Sequence, residues 1–438
     1  MNYQETCEYM FTHTANYESQ GQSGYKVGLD SMLAIDEHFG HPHRKYKTIH
    51  VGGTNGKGSV SHMLAAILQV CGYKVGLYTS PHLVDFRERI RINGQPVSEE
   101  YVTSFIEAEK EFFEAQKATF FEMATAMAFS YFSDQDVDIA VIEVGLGGRL
   151  DSTNIITPIV SVITNVSLDH TQLLGASLEQ IAMEKAGIMK QGVTTIVGET
   201  TPETRMVFEA VAQEAGATVI FAEEHQEVTS AEPLADGGVM FTCQHIPPFK
   251  CGLGGLYQQK NVNTILPVLL VLTRQGYLCQ CSREATRQAV QGEMNQALLY
   301  VKELTGLQGR WQTVASNPTV VCDIGHNEGA WRQLSQQLAM VKCDRMHIVF
   351  GILEDKDVYS VMSQLPKQAT YYFTKGSTKR AMPEMSVQVF GAQLGLGGNA
   401  YPTVAEAYKA ATEAAGASDF IFVGGSSYVV ADFLKSCV

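Results

Sequence analysis

The stretch IHVGGTNGKGSV, Ile49 to Val60, sits between two segments of different period. Before it, YKTIHV (46–51) is a short run rich in apolar and β-branched residues and reads as a strand. After it, SVSHMLAAILQVCG (59–72) spaces its apolar residues as a helix does and ends on Gly72. Between them Gly52, Gly53, Gly56 and Gly58 free the backbone to turn its N–H groups toward an anion. Lys57 is placed to reach outer phosphates, and Ser59 opens a helix whose N-terminus favours negative charge. The spacing is not that of the common phosphate loop, G-x-x-x-x-G-K-[ST]. Six residues before Lys57 stands Val51, and Gly58, not Ser or Thr, follows the lysine. The first useful glycine is Gly53, four residues before Lys57. The stretch therefore reads as a phosphate loop of a kind that excludes common kinases and GTPases.

Working outward, KVGLYTS (74–80), DIAVIEV (138–144), IVSVITNV (159–166) and TTIVG (194–198) are further apolar strands separated by helical patterns. Continuous apolar strands alternating with helices imply an α/β fold with a mainly parallel sheet covered on both faces. The segment TSPHLVDFRERIRINGQ (79–95) reads as a polar loop. Residues 223–256, with Pro233, Pro247 and Pro248, read as short strands and loops. Helical patterns resume at about 258–275 and 282–300. After ELTGLQGR (303–310) a second alternation starts, with strands at TVVCDIG, MHIVFGI, TYYFT and DFIFVGG. Two domains follow, 1–304 and a smaller 305–438.

Composition narrows the class. The 438 residues are 45% hydrophobic and 18% charged, as expected of a globular chain too long for one core. A net charge of −14 argues against nucleic acid or an anionic membrane as the main partner. The N-terminal MNYQETCEYMFTHTANYESQ lacks the basic start and apolar run of a signal peptide, and no stretch reaches membrane-helix length. Nine cysteines without a C-x-x-C pair fit a reducing, cytoplasmic setting.

Several residues stand where chemistry is done in open α/β sheets, at the carboxyl ends of strands. Glu143 ends an apolar strand before a run of glycines; it reads either as a holder of Mg²⁺ or as a capping acid. Asp169 and His170 follow the next strand, either as site residues or as ordinary polar loop groups. Lys185, in EKAGIMK, lies in a helical segment among apolar neighbours. Such a lysine usually snorkels to solvent, whereas a buried, neutral one would be functional. Arg310 and Asp323 lie at and just past the domain junction.

GTNGKGS (53–59), TSPHL (79–83), RERIRING (87–94), EVGLGGRLDSTN (143–154), EKAGI (184–188), YQQKN (257–261), DIGHN (323–327) and GILEDKD (351–357), in this order, resemble the folylpolyglutamate synthase and dihydrofolate synthase family of the Mur ligase superfamily. The resemblance spans nearly the whole chain. It implies an N-terminal P-loop ATPase domain with a mainly parallel sheet, joined to a Rossmann-like C-terminal domain, with the active site in the cleft between them. It also implies an ATP-dependent ligase that makes an acyl phosphate on dihydropteroate or a reduced folate and joins L-glutamate to it.

By the same resemblance, Thr54, Asn55, Gly56 and Lys57 cradle the ATP phosphates, Gly58 and Ser59 continue the loop, and Asn261, Arg310 and Asp323 contact the nucleotide. Ser80 and Glu143 hold one Mg²⁺ and His170 a second, and Lys185 matches a carbamylated lysine. Lys57, His170 and Lys185 are the expected catalytic residues. The pterin side falls to Tyr25, Lys26, Val27, Thr119, Phe120, Phe121, Glu122, Leu150, Asp151 and Ser152. Phe120 and Phe121 read equally well as ring-stacking residues and as helix core. In DIGHNEGAW the chain carries Gly325 and Glu328 where the family usually has Ala and Pro. A monofunctional folylpolyglutamate synthase is the near alternative. A Mur-type cell-wall ligase is disfavoured, because about 50 residues before the loop are too few for a UDP-binding domain. A monomer acting on small molecules, without nucleic acid or membrane, is expected.

Overall fold

The computed structural model describes residues 1–15, 26, 28–278 and 283–438, with the backbone alone for 283–290. The chain divides into two units. The first holds Met1–Ser230, Phe241–Cys251 and Gln258–Leu307, and the second Ala231–Met240, Gly252–Tyr257 and Gln308–Val438. A single cut near 304 does not capture two short stretches, 231–240 and 252–257, that group with the second unit.

The first unit is built on eight strands: β1 (Lys47–Gly52), β2 (Val75–Tyr78), β3 (Ile90–Ile92), β4 (Gln95–Pro96), β5 (Ile139–Glu143), β6 (Val160–Ile163), β7 (Thr194–Val197) and β8 (Thr218–Phe221). Their order is β4-β3-β2-β5-β1-β6-β7-β8. From β2 to β8 every pairing is parallel. The central strands are buried along their length: all of β2, β5 and β6, and β1 after Lys47. That is what their mainly apolar runs require of a sheet covered on both faces. The helix Lys57–Val70 packs on this sheet and under the helices Gln258–Arg274 and Arg283–Leu299, and its residues from Gly58 to Leu68 are all buried. An aromatic-rich core ties Tyr78, Ala140 and Ile142 to the helices Tyr3–Thr12, Asp30–His38, Glu99–Gln116 and Phe120–Asp134.

The segment 79–95 is not a simple loop. It contains a 3₁₀ turn, Phe86–Arg89, and then the antiparallel pair β3–β4 at the sheet edge. Asn93 and Gly94 form its two-residue turn, both left-handed, with φ of 47° and 77°. Asn-Gly is the strongest short hairpin signal, and here it is masked by the charge of its surroundings.

A three-stranded sheet follows, from β9 (Val228–Pro233), β10 (Val239–Cys243) and β11 (Phe249–Cys251). The second unit carries β12 (Gln312–Ser316), β13 (Thr319–Asp323), β14 (Met346–Phe350), β15 (Thr370–Phe373), β16 (Gly398–Ala400) and β17 (Phe420–Gly424). Their order is β12-β13-β17-β14-β15-β16, parallel except for β12. The four apolar runs anticipated from the sequence form β13, β14, β15 and β17. The edge strands β12 and β16, QTVAS and GNA, are too polar or too short to announce themselves. Among the described residues no helix is long and apolar enough to cross a membrane.

Gly94 is a test of the hairpin. A Cβ there would overlap the carbonyl oxygen of Leu304 and lie 3.0 Å from its carbon, at a backbone conformation that costs an L-residue energy. Gly94→Ala is expected to destabilise the protein by about 2 kcal/mol or more. Urea unfolding checks this; an unchanged midpoint would show that the turn relaxes freely.

Candidate functional site

The carboxyl ends of β2, β5, β1 and β6 lie side by side, and each is followed by a segment bearing polar groups. β1 ends at Gly52 and the helix starts at Lys57, so the loop proper is the four residues Gly53–Gly56. Two glycines in it are obligatory. Gly53 has φ +134°, and a Cβ there would overlap the Thr164 hydroxyl and come within 2.9 Å of the Thr164 nitrogen. Gly56 has φ +86°, and a Cβ there would overlap the Asn261 amide oxygen.

The loop is held from outside by the segment after β6. Thr54 N donates to Asn165 O at 2.9 Å and Asn55 N to Asn165 Oδ1 at 3.0 Å. Asn165 Nδ2 and Thr164 Oγ1 both donate to Asn55 O, at 3.0 and 2.6 Å. Ser167 N donates to Thr54 Oγ1 at 3.1 Å. Thr164, Asn165 and Ser167 were not anticipated as site residues. Their only sequence signal is a polar pair directly after an apolar strand, next to the expected Asp169 and His170.

Lys57, Gly58 and Ser59 form the first turn of the helix, where backbone N–H groups have no partner within the helix. Lys57 Nζ donates to the carbonyls of Gly53 and Thr54, each at 3.2 Å. The Ser59 hydroxyl is buried and accepts from Gln258 Nε2 at 3.4 Å. Asn261, three residues on, donates to Gln258 Oε1 at 2.7 Å and sits against Gly56.

Lys185 does not snorkel. It lies on the helix Leu178–Ala186, 3% exposed, and its Nζ donates to Gly53 O at 2.9 Å. Burial and then the nearby charge of Lys57 push its pKa down to about 7, with Asp169 and Asp151 opposing. An amine in this state is substantially neutral near pH 7, and so nucleophilic.

Glu143 closes β5, 3% exposed, and accepts from Ser80 N at 3.4 Å, bringing the residues expected to share a metal together. His170 adopts a left-handed backbone (φ 49°), and its N–H donates to Asp169 Oδ1 at 2.9 Å. Among the described residues no group of three or more His, Cys, Asp or Glu side chains is arranged to hold a metal. One carboxylate beside the backbone of a serine nevertheless suits Mg²⁺, which keeps waters and completes its shell with substrate phosphates.

On the side expected for the pterin, Thr119 and Glu122 form a reciprocal helix cap: Glu122 N donates to Thr119 Oγ1 at 3.1 Å and Thr119 N to Glu122 Oε2 at 2.7 Å. Lys26 Nζ lies 3.5 Å from Glu122 Oε2. Phe120 is core, 1% exposed and stacked on Phe11 with centroids 4.4 Å apart. Phe121 is half-buried and lies directly over Gly145, two residues after Glu143. Asp151 is buried and caps the turn Ser152–Ile155, while Leu150 and Ser152 beside it are half-buried. Tyr25 and Val27 lie outside the described residues.

In the second unit, Asp323 ends β13 at 3% exposure. It accepts from Tyr257 Oη at 2.6 Å, Trp311 N at 2.8 Å and Gly325 N at 2.8 Å. Burial raises its pKa, and the charge of Arg310 opposes that. Asp323 thereby fixes the turn carrying Arg310, with Trp311 held at φ 41°. Asn327 caps the next helix, accepting from Ala330 N at 2.9 Å.

Residues 51–264 match the model of the Mur ligase middle domain, and residues 309–427 that of the Mur ligase glutamate ligase domain. The chain is 33% identical over 397 residues to a folylpolyglutamate synthase of Lacticaseibacillus casei, covering 88% of each. It is 32% identical over 422 residues to a probable bifunctional folylpolyglutamate synthase/dihydropteroate synthase of Haloferax volcanii; that match takes 93% of this chain but spans only 48% of the relative. Among solved structures, E. coli FolC in complex with DHPP and ADP superposes with a TM-score of 0.79 at 30% identity, over 99% of this chain and 97% of that one.

The lowered pKa of Lys185 has a consequence for stability. Between about pH 7 and its ordinary value near 10.5, the unfolded chain binds a proton that the folded chain does not. Stability from this group therefore rises with pH across that window and is lost as pH falls through 7. Lys185→Met should remove a gain on the order of 2 kcal/mol between pH 7.5 and 9. Urea unfolding of both proteins at the two pH values reads it; equal pH dependence would place a charged ammonium in the folded state.

Proposed function

The chain belongs to the folylpolyglutamate synthase/dihydrofolate synthase family, and on that premise we propose that it joins L-glutamate to dihydropteroate and to reduced folates at the expense of ATP. A pterin-linked or glutamyl carboxylate attacks the γ-phosphorus of ATP, forming an acyl phosphate and releasing ADP. The amine of L-glutamate then attacks the acyl carbon, inorganic phosphate leaves, and an amide remains. Phosphorylation is needed because a carboxylate is a poor acyl donor at neutral pH.

The observation that carries this reading is the meeting of Lys185, Lys57 and the Gly53 carbonyl beneath one glycine loop. Gly56, Lys57, Gly58 and Ser59 take the nucleotide phosphates chiefly through backbone N–H groups, with the Lys57 ammonium against the outer ones, and Thr54 and Asn55, whose own N–H groups are held by Asn165, complete the cradle. Asn261 shapes the loop, and the family resemblance assigns Arg310 and Asp323 to the nucleotide as well. Ser80 and Glu143 would hold one Mg²⁺ and His170 a second, and such ions neutralise charge as two anions approach. Lys185, kept largely neutral by burial, suits carbamylation: its amine adds CO₂ and loses a proton, turning a cation into an anion. Phe121, with Lys26, Leu150, Asp151 and Ser152, forms the pterin side. We assign the P-loop ATPase part to residues 1–304 and the Rossmann-like glutamate-ligase part to 305–438, in a cytoplasmic monomer that binds no nucleic acid.

Purified protein with ATP, Mg²⁺ and L-glutamate should release ADP when dihydropteroate or tetrahydrofolate is added, each product gaining one glutamyl unit by mass. Lys57→Ala should lower kcat by roughly two orders of magnitude or more, as loss of a positioned charge at a transferring phosphoryl group does. ATP binding without ADP release with either acceptor would sink the ligase reading.

A further inference from the structure

His50 stands in the middle of β1, three residues before the glycine loop. It is fully buried, and burial followed by the charge of Lys190 pushes its pKa down to about 3, so the ring is neutral at any working pH. One nitrogen, Nε2, is 2.9 Å from Thr153 Oγ1; the other, Nδ1, has no hydrogen-bond partner among the described residues. A buried unpaired nitrogen costs about 1–3 kcal/mol, and an aliphatic residue would fill this strand position without that cost. The Nε2 contact is what the histidine offers in return.

The direction of that contact follows from proton counting. The Thr153 hydroxyl has one hydrogen, and it goes to Asp151 Oδ1 at 2.5 Å. Thr153 Oγ1 therefore accepts from His50 Nε2–H, which fixes the tautomer. Asp151 Oδ1 also accepts from Thr153 N at 3.0 Å, and Oδ2 accepts from Leu146 N at 2.8 Å. The result is a buried chain: His50 N–H to Thr153 O–H to the Asp151 carboxylate to the backbone of Leu146. It starts on the strand that carries the phosphate loop and ends on the loop that follows Glu143, where Gly145 lies under Phe121.

We propose that His50 and Thr153 are positioning residues that fix the 145–152 loop, and with it the pterin side of the site, in register with the phosphate loop. Neither touches substrate; they act through Asp151. The assignment of the substrate rests on the function proposed above. The holding of the loop does not.

Thr153→Val keeps the shape and the backbone N–H and removes only the hydroxyl, and Thr153→Ser restores it. In Thr153→Val the KM for dihydropteroate should rise about tenfold, the scale on which outer partners of a site act, with the KM for ATP changed less than about twofold. His50→Val should give the same split with a smaller rise, and Thr153→Ser should return the KM to within about twofold of the parent. Amide hydrogen exchange supplies the arm that needs no substrate: Leu146 and Thr153 amides should exchange about tenfold faster in Thr153→Val and recover in Thr153→Ser, while Thr54 and Asn55 are unchanged. A parent enzyme inactive on both dihydropteroate and tetrahydrofolate would overturn the folate reading alone, and the exchange data then decide the loop proposal. Unchanged exchange at Leu146, or equal losses for ATP and dihydropteroate, would overturn the proposal itself.

Discussion

Two lysine amines converge on one carbonyl oxygen: Lys57 Nζ at 3.2 Å and Lys185 Nζ at 2.9 Å both donate to Gly53. Lys57 is half-buried, but Lys185 is not exposed, and two like charges so placed cannot both be comfortable. The fold resolves the conflict by keeping the buried one largely neutral. Everything that surrounds Gly53 serves this arrangement. The residue has to be glycine because Thr164 fills the space a Cβ would need. Thr164 is there because β6 lies beside β1 in parallel, and its continuation staples the loop through Asn165.

A short loop makes the staple necessary. Only Gly53 to Gly56 separate strand from helix, and two of the four are glycines that gain freedom at the cost of order. Donors and acceptors from the β6 segment hold both the Thr54 and Asn55 amides and the Asn55 carbonyl. The unusual spacing of the sequence motif is thus the signature of a loop whose rigidity comes from a neighbouring strand.

What could be read from the sequence divides along one physical line. Features set by local chemistry were legible: the strand–loop–helix around Lys57, the parallel alternation, and the placing of Glu143 at a strand end. The hairpin at Asn93–Gly94 carried a local signal that the surrounding charge obscured. Features set by partners far away in the chain were not legible. Lys185 looks like a surface lysine until the fold places it under Gly53, 132 residues distant. Phe120 and Phe121 are neighbours in the same helix, and only the packing separates a core ring from one lying over Gly145. Asp323 reads as a ligand-facing acid, and the fold shows how much of its capacity goes to anchoring Tyr257, Trp311 and Gly325.

The same line explains why polar residues in apolar strands deserve suspicion. His50 stands between Ile49 and Val51 in the buried part of β1, and in isolation it reads as a core residue of no consequence. Its ring keeps one nitrogen unpaired to hold Thr153, 103 residues later. Because β1 also ends in the glycine loop, one strand fixes, on the function proposed above, both sides of a site whose two substrates must meet within reacting distance. Displacements far smaller than a residue cost such reactions orders of magnitude in rate. A rigid strand that runs into one loop and is keyed to the other by the His50–Thr153 contact controls that distance more tightly than two independently packed loops could.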